Sequence, residues 1–208
     1  MRSLHLNSLI ALLLCCVSCN SAYRSLQRTE GDAACIKRFQ PKINKTVLYS
    51  TQVDILQHHL SGLLLFKPME DSSMRVVFAS EMGLKFFDFE FGKDGSFTKH
   101  YMLPKMDKKA VVKTLRKDFE MVLMRQDPVT AEIFTNGTER YTAFKLTKGK
   151  IYYITSKDCS ELVRVENGSR RKPVVEVFLT HYTNGVPDSI FVQHKKVKFN
   201  ISSQRVEK

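Results

Sequence analysis

Phe86-Phe87-Asp88-Phe89-Glu90-Phe91 puts Phe87, Phe89 and Phe91 on one side of an extended chain and Asp88 and Glu90 on the other. Successive side chains of a strand point to opposite faces, so this run has one apolar and one polar face. The alternation recurs along the chain. Val175, Val177 and Leu179 oppose Glu176 and Thr180, and Val197, Phe199 and Ile201 oppose Lys196, Lys198 and Asn200. Strands of this kind build an antiparallel sheet covered on one face only. About ten strand-like runs fit between Thr46 and Ser202. Asp94-Gly95, Asn136-Gly137, Asn167-Gly168 and Asn184-Gly185 supply dipeptides suited to the positive φ of hairpin turns.

One segment has a different period. Between Asp107 and Met124 the apolar positions Val111, Val112, Leu115, Phe119, Val122 and Leu123 form a helical stripe. Asp107 is placed as its N-cap and Asp127-Pro128 as its end, with Lys108, Lys109, Lys113, Arg116 and Lys117 largely on the polar side. A single amphipathic helix in a long β-meander has one place to bury its stripe, across the open apolar face of the sheet.

The N-terminus reads as an export signal. Arg2 precedes the apolar run Leu9–Val17, which is shorter than the ~20 residues that span a bilayer. Ser18-Cys19 closes that run and resembles the lipobox of bacterial lipoproteins, although Cys16 stands where Leu is usual. That resemblance implies a mature chain starting at a lipid-modified Cys19. Its thiol would carry a diacylglyceryl group and its freed amine a third acyl chain such as palmitate. Cleavage nearby, after Ala22, is the alternative and would leave a soluble secreted protein. Residues 1–18 are then the signal, 19–33 a polar tether, and 34–208 one domain with room for a short N-terminal helix.

The formal net charge is +12, and losing residues 1–18 removes only Arg2 from the basic count. Export argues against nucleic acid as partner. Anionic lipid headgroups fit better, and a solvated basic surface is the plain alternative. Of five cysteines, Cys15 and Cys16 leave with the signal and Cys19 takes the lipid. Cys35 and Cys159 remain; an oxidising exterior permits a disulfide between them, and the sequence leaves the pairing open.

Catalytic motifs are missing. No Gly-x-Ser-x-Gly, His-Glu-x-x-His or phosphate-binding glycine loop occurs. Ser96-Phe-Thr-Lys99 and Ser169-Arg-Arg-Lys172 match Ser-x-x-Lys but lie in strand-like sequence beside turns. Cys159 with His181 and Asp158 lacks local support as a nucleophile and base. His58-His59 would face opposite ways on a strand and is a poor metal pair. No enzyme, metal or cofactor is expected. Four sequons, at Asn44, Asn136, Asn167 and Asn200, are glycosylation acceptors only in a eukaryotic secretory protein. Fourteen Phe and eight Met, with no Trp, suit either an adaptable greasy site or an ordinary core.

The order of elements carries a family resemblance. Ser61-Gly62-Leu63 opens a strand, Val76-Val77-Phe78 and Gly83–Phe91 follow as a hairpin, a helix comes mid-chain, and Pro187–Ile201 ends the chain. This resembles the outer-membrane lipoprotein carrier and receptor proteins of the LolA/LolB fold over about residues 40–202. It implies an incomplete antiparallel β-barrel of about ten or eleven strands, with the helix as a lid over an apolar cavity for acyl chains. Leu63, Leu65, Val77, Phe87, Phe89 and Phe91 would line the sheet's inner face, and Val112, Leu115, Phe119 and Val122 would point inward from the lid. The family's receptor carries an exposed Leu on a protruding loop, whereas the hairpin tip Gly92–Gly95 is wholly polar. Ser18-Cys19-Asn20 is also similar to the start of uncharacterised Bacteroidetes-type lipoproteins, which fits a paralogue binding another lipid or a polyene-like product.

The expected function is a lipid-anchored envelope protein, facing the periplasm from the outer membrane and binding a lipid or acyl chain in lipid or lipoprotein transport. Its partners would be the membrane, that ligand, and a lipoprotein or other protein, with no nucleic acid. A structural lipoprotein with a packed core and a protein partner is the first alternative, and a secreted, non-lipidated glycoprotein the second.

Overall fold

The computed structural model describes residues 21–206. Cys19 and the export signal lie outside the described residues. Thirteen strands form one antiparallel sheet: β1 (Gln27–Arg28), β2 (Val47–Ile55), β3 (His58–Pro68), β4 (Met74–Ala79), β5 (Lys85–Phe91), β6 (Phe97–Met102), β7 (Glu132–Thr135), β8 (Glu139–Lys145), β9 (Lys150–Ser156), β10 (Leu162–Gly168), β11 (Pro173–Thr183), β12 (Val186–His194) and β13 (Phe199–Arg205). Two meanders, β2–β6 and β7–β13, join where β13 pairs with β2, leaving β6 and the short β1 as the edges. The sheet is mainly β and unclosed, an incomplete barrel with a helix. It has thirteen strands where the alternation predicts about ten, because short strands such as β1 and β7 hold too few residues to show a period.

The helix α1 (Lys109–Val122) links β6 to β7 and buries Leu115, Asp118, Phe119, Met121 and Val122. Its start differs from expectation. Asp107 does not cap it, because Lys99 Nζ takes both carboxylate oxygens at 2.7 and 2.6 Å. Lys108 is the N-cap residue, without a side-chain cap bond. The helix also ends at Val122, before Asp127-Pro128, and Met124 just beyond its cap is buried in the left-handed region with φ 48°. Asp127 instead caps a short 3₁₀ turn, accepting from Val129 N–H at 3.0 Å.

Three inner-face expectations are overturned. Leu63, Leu65 and Val77 lie on the outer face; Leu64, Phe66, Val76 and Phe78 are the buried ones. The registers Leu64↔Phe78↔Phe87 and Phe66↔Val76↔Phe89 carry the inner face across three strands. In Leu63-Leu-Leu-Phe66 every position is apolar, so the pattern leaves the phase undetermined. A one-residue shift exchanges the faces of the whole strand. Asn167-Gly168 also lies within β10, not at a tip; the turn follows it, closed by Ser169 N–H to Lys172 C=O at 2.9 Å.

Residues 21–33 are fastened to the domain. Ala22 N–H donates to Arg171 C=O at 2.8 Å, and Tyr23 stacks on Tyr152 while its hydroxyl donates to Glu166 at 2.7 Å. β1 pairs with β7, and the 3₁₀ segment Ala33–Phe39 carries Cys35, bonded to Cys159 in the β9–β10 turn with Cα atoms 6.4 Å apart. The polar composition that reads as a tether hides one anchoring aromatic, Tyr23, near its start. Cys159 therefore holds no free thiol for nucleophilic chemistry.

Candidate ligand pocket beneath the helix

The apolar stripe of α1 lies on the sheet's inner face. Phe119 meets Phe66 and Phe87 with ring centroids 6.1 and 5.5 Å apart. Beside them is a small, largely apolar void of about 20 Å³, room for about one water molecule. Leu115, Phe119, Leu64, Phe78 and Phe87 form its inner walls, and Ile55, Val111 and Phe199 its outer wall. The same three residues line a second, open space of about 230 Å³ with Leu56, Ala110, Val197 and Lys198. Void and groove thus lie on either side of these three residues, and the groove opens where α1 begins.

The expected lining residues separate into groups. Phe87, Leu115 and Phe119 line the void. Phe89, Phe91 and Val122 are buried in the surrounding core, and Val112 is half-buried against it. Leu63, Leu65 and Val77 face away. Sequence reading passes over Ile55, Leu64, Phe78 and Phe199; the signal for Leu64 and Phe78 was the phase of their strands, legible only once their cross-strand partners are known.

The two ends of α1 are held unequally. At its C-terminal end, Arg125 donates to Phe91 C=O and Gly92 C=O, both at 2.8 Å. Burial lowers the Arg125 pKa, and the two carbonyls satisfy its guanidinium. In mid-helix, Asp118 pairs with His194 of β12 at 2.9 Å, their side chains 2% and 8% exposed. The His194 ring stacks on Phe199 at 4.6 Å. The first turn has no cap bond and no acidic residue, and Lys108 and Lys109 sit at the positive end of the helix dipole. Val111 and Val112 are only half-buried there. The N-terminal half of α1, which roofs the groove, is the weakly held part.

Burial pushes the Asp118 carboxyl above the ordinary carboxylate range, with His194 and then Lys117 opposing it. A raised folded value means that the protonated form favours folding. The contribution is full below the unfolded carboxylate pKa of about 4 and fades as pH rises through the folded value. Asp118→Asn keeps the shape without the buried charge. Its denaturation midpoint should therefore rise relative to wild type as pH increases above about 4. Parallel midpoints across that range would show that Asp118 is ionised at no cost.

The groove's mouth has a strained residue. Leu56 sits at φ 54° in the Leu56-Gln57 turn, 62% exposed, and its N–H donates to Lys198 C=O at 2.7 Å. A left-handed leucine costs on the order of 1 kcal/mol that glycine would not. Of the other motifs, His59 pairs with Asp54 at 2.8 Å. Among the described residues no cluster of His, Cys, Asp or Glu is arranged to hold a metal ion, and no helix is long and apolar enough to cross a membrane.

No family model and no protein of curated function matches the sequence. Solved structures share the architecture. A putative outer membrane lipoprotein-sorting protein domain from Vibrio parahaemolyticus is 7% identical, covering 85% of this chain and 90% of its own, with a TM-score of 0.50. A DUF1329 family protein from Desulfovibrio piger is 8% identical over 83% of this chain and 88% of its own, with a TM-score of 0.44. The chain shares its fold with the lipoprotein-sorting domain, built here as one unclosed antiparallel sheet with a helix.

Proposed function

We propose that this chain is a non-enzymatic protein of the bacterial envelope, anchored by a lipid on Cys19, that takes the acyl chain of a lipid or lipoprotein between α1 and the inner face of the sheet. The observation that carries this reading is an apolar void at Phe119 with an apolar groove beside it, the two sharing Ile55, Val111 and Phe199 as a wall beneath the weakly held half of the helix. Ligand pockets usually enclose about 300–1,000 Å³, so this is a closed state. The N-terminal turns of α1 swing out to admit the chain, and the Arg125 contacts act as the hinge. The small void supports a second reading, a filled core with a protein partner.

Native mass spectrometry of the exported protein tests the proposal: a triacylated N-terminus at Cys19 and a co-purifying amphiphile are expected. Val111 borders both spaces and is half-buried, so Val111→Phe should block entry to the void without unfolding the chain. Binding of a fluorescent fatty-acid probe should weaken about tenfold or more while the melting temperature holds. A wild type that binds no probe and carries no amphiphile would leave the filled-core reading.

A further inference from the structure

Antiparallel pairing assigns every turn to one rim of the half-barrel or the other. The β2–β3, β4–β5, β8–β9, β10–β11 and β12–β13 turns share a rim with the start of α1, as the registers Ile55↔His58, Lys145↔Lys150 and Val175↔His194 require. The exposed apolar residues concentrate there. Leu56 is joined by Met82, 97% exposed, and Val197, 52% exposed, each at a hairpin tip.

Exposed basic residues surround them. The β12–β13 turn carries Lys195, Lys196 and Lys198; the β10–β11 turn carries Arg170, Arg171 and Lys172. Lys105, Lys108 and Lys109 lead into the helix, and Lys148 tops the β8–β9 turn. The acids on these turns are Glu81 and Asp107, and Lys99 engages Asp107. Lys195 pairs with Glu176 at 2.6 Å, which leaves Lys196 and Lys198 as the tip's outward charges. The opposite rim is mixed: Glu70, Asp71, Asp94, Asp158 and Glu161 alternate there with Lys93 and Lys157. The polar tip Gly92–Gly95 belongs to that opposite rim, as the pairing Phe91↔Phe97 shows.

Two further features meet at the basic rim. The groove opens on it, between Leu56 and Val197. The described chain also begins there, with Ser21 and Ala22 bonded to the carbonyls of Arg170 and Arg171 at 3.5 and 2.8 Å. Cys19 stands two residues before Ser21, about 7 Å of extended chain at most.

From these features we infer that the basic rim docks on an anionic bilayer. Leu56, Met82 and Val197 enter below the headgroups, while the lysines and arginines lie among the phosphates. Charge complementarity selects the partner: lipid phosphates attract basic residues and an apolar layer receives the tips. The groove then opens onto the membrane, not into water. A leucine held in a left-handed turn, where glycine would sit unstrained, fits a position kept for its side chain. The docking needs no ligand and stands apart from the pocket reading.

Residues 21–206 hold the thirteen described strands and the core they bury, so residues 20–208, exported to form the disulfide, carry that fold without signal or lipid. Co-sedimentation is measured with vesicles of phosphatidylcholine alone and of phosphatidylcholine with roughly one-third phosphatidylglycerol. Binding to the anionic vesicles, lost between about 0.1 and about 1 M salt, is expected. Lys196→Glu with Lys198→Glu should weaken it about tenfold or more. Leu56→Gly should weaken it several-fold at an unchanged or raised melting temperature, and this single variant decides if the charge reversals unfold the chain. Lys93→Glu with Lys157→Glu, on the opposite rim, should leave it unchanged. Equal binding to neutral vesicles, an equal loss from the opposite-rim variant, or no effect of Leu56→Gly would overturn the proposal. So would binding to a DNA duplex with none to anionic vesicles. Failure of vesicle binding with fatty-acid binding intact would remove this surface and leave the pocket.

Discussion

Phe119→Ala should lower the unfolding free energy by about 3–5 kcal/mol, the usual loss when a fully buried aromatic is truncated in a packed core. Phe119 is 2% exposed and its ring touches both Phe66 and Phe87, so the closed state has little empty space to soften the loss. The neighbouring void of about 20 Å³ would grow by most of a phenyl ring. Denaturant unfolding of wild type and variant measures the cost, beside fatty-acid probe binding to each. In a pocket that opens, the variant loses stability yet keeps or gains room for the probe. A loss under about 1 kcal/mol would mean that the helix does not pack on the sheet as described.

Replacing Cys35 and Cys159 together by Ser should cost about 3–5 kcal/mol. The bond closes a loop with a sequence separation of 124 residues, and in the chain-entropy model long loops give the larger stabilisation. It also fixes the N-terminal segment, whose Tyr23 and Leu26 cover a separate apolar cluster of Tyr141, Ala143, Tyr152 and Ile154 on the outer face. Loss of the bond should therefore expose that cluster first. Non-reducing gels, thiol counting and unfolding with and without reductant check this. Two alkylatable thiols in the folded, exported protein, or equal stability in both conditions, would contradict it.

The alternation at Phe87, Phe89 and Phe91 determined that the chain is an antiparallel sheet with one apolar face, and the stripe at Leu115, Phe119 and Val122 determined that one helix covers it. Both are local periodicities, and each residue's neighbours in the chain suffice to read them. Asn184-Gly185 was legible in the same way: both residues have positive φ in the β11–β12 turn. Phase was not legible where it needed a partner strand. The family resemblance places Leu63, Leu65 and Val77 inward; an unbroken apolar run has no preferred face to test that, and only the pairing Leu64↔Phe78 decides it. Asp107 is a sound cap by sequence, but Lys99, eight residues earlier on β6, holds its carboxylate once the chain turns into the helix. The mouth of the pocket was least legible of all. Leu56, Val111, Val197 and Phe199 come from two separate hairpins and the helix, and only the tertiary structure gathers them on one rim. The extended backbone sets each strand's two-residue period locally, whereas the sheet's order and register depend on which distant strands pair, and that is where the site is made.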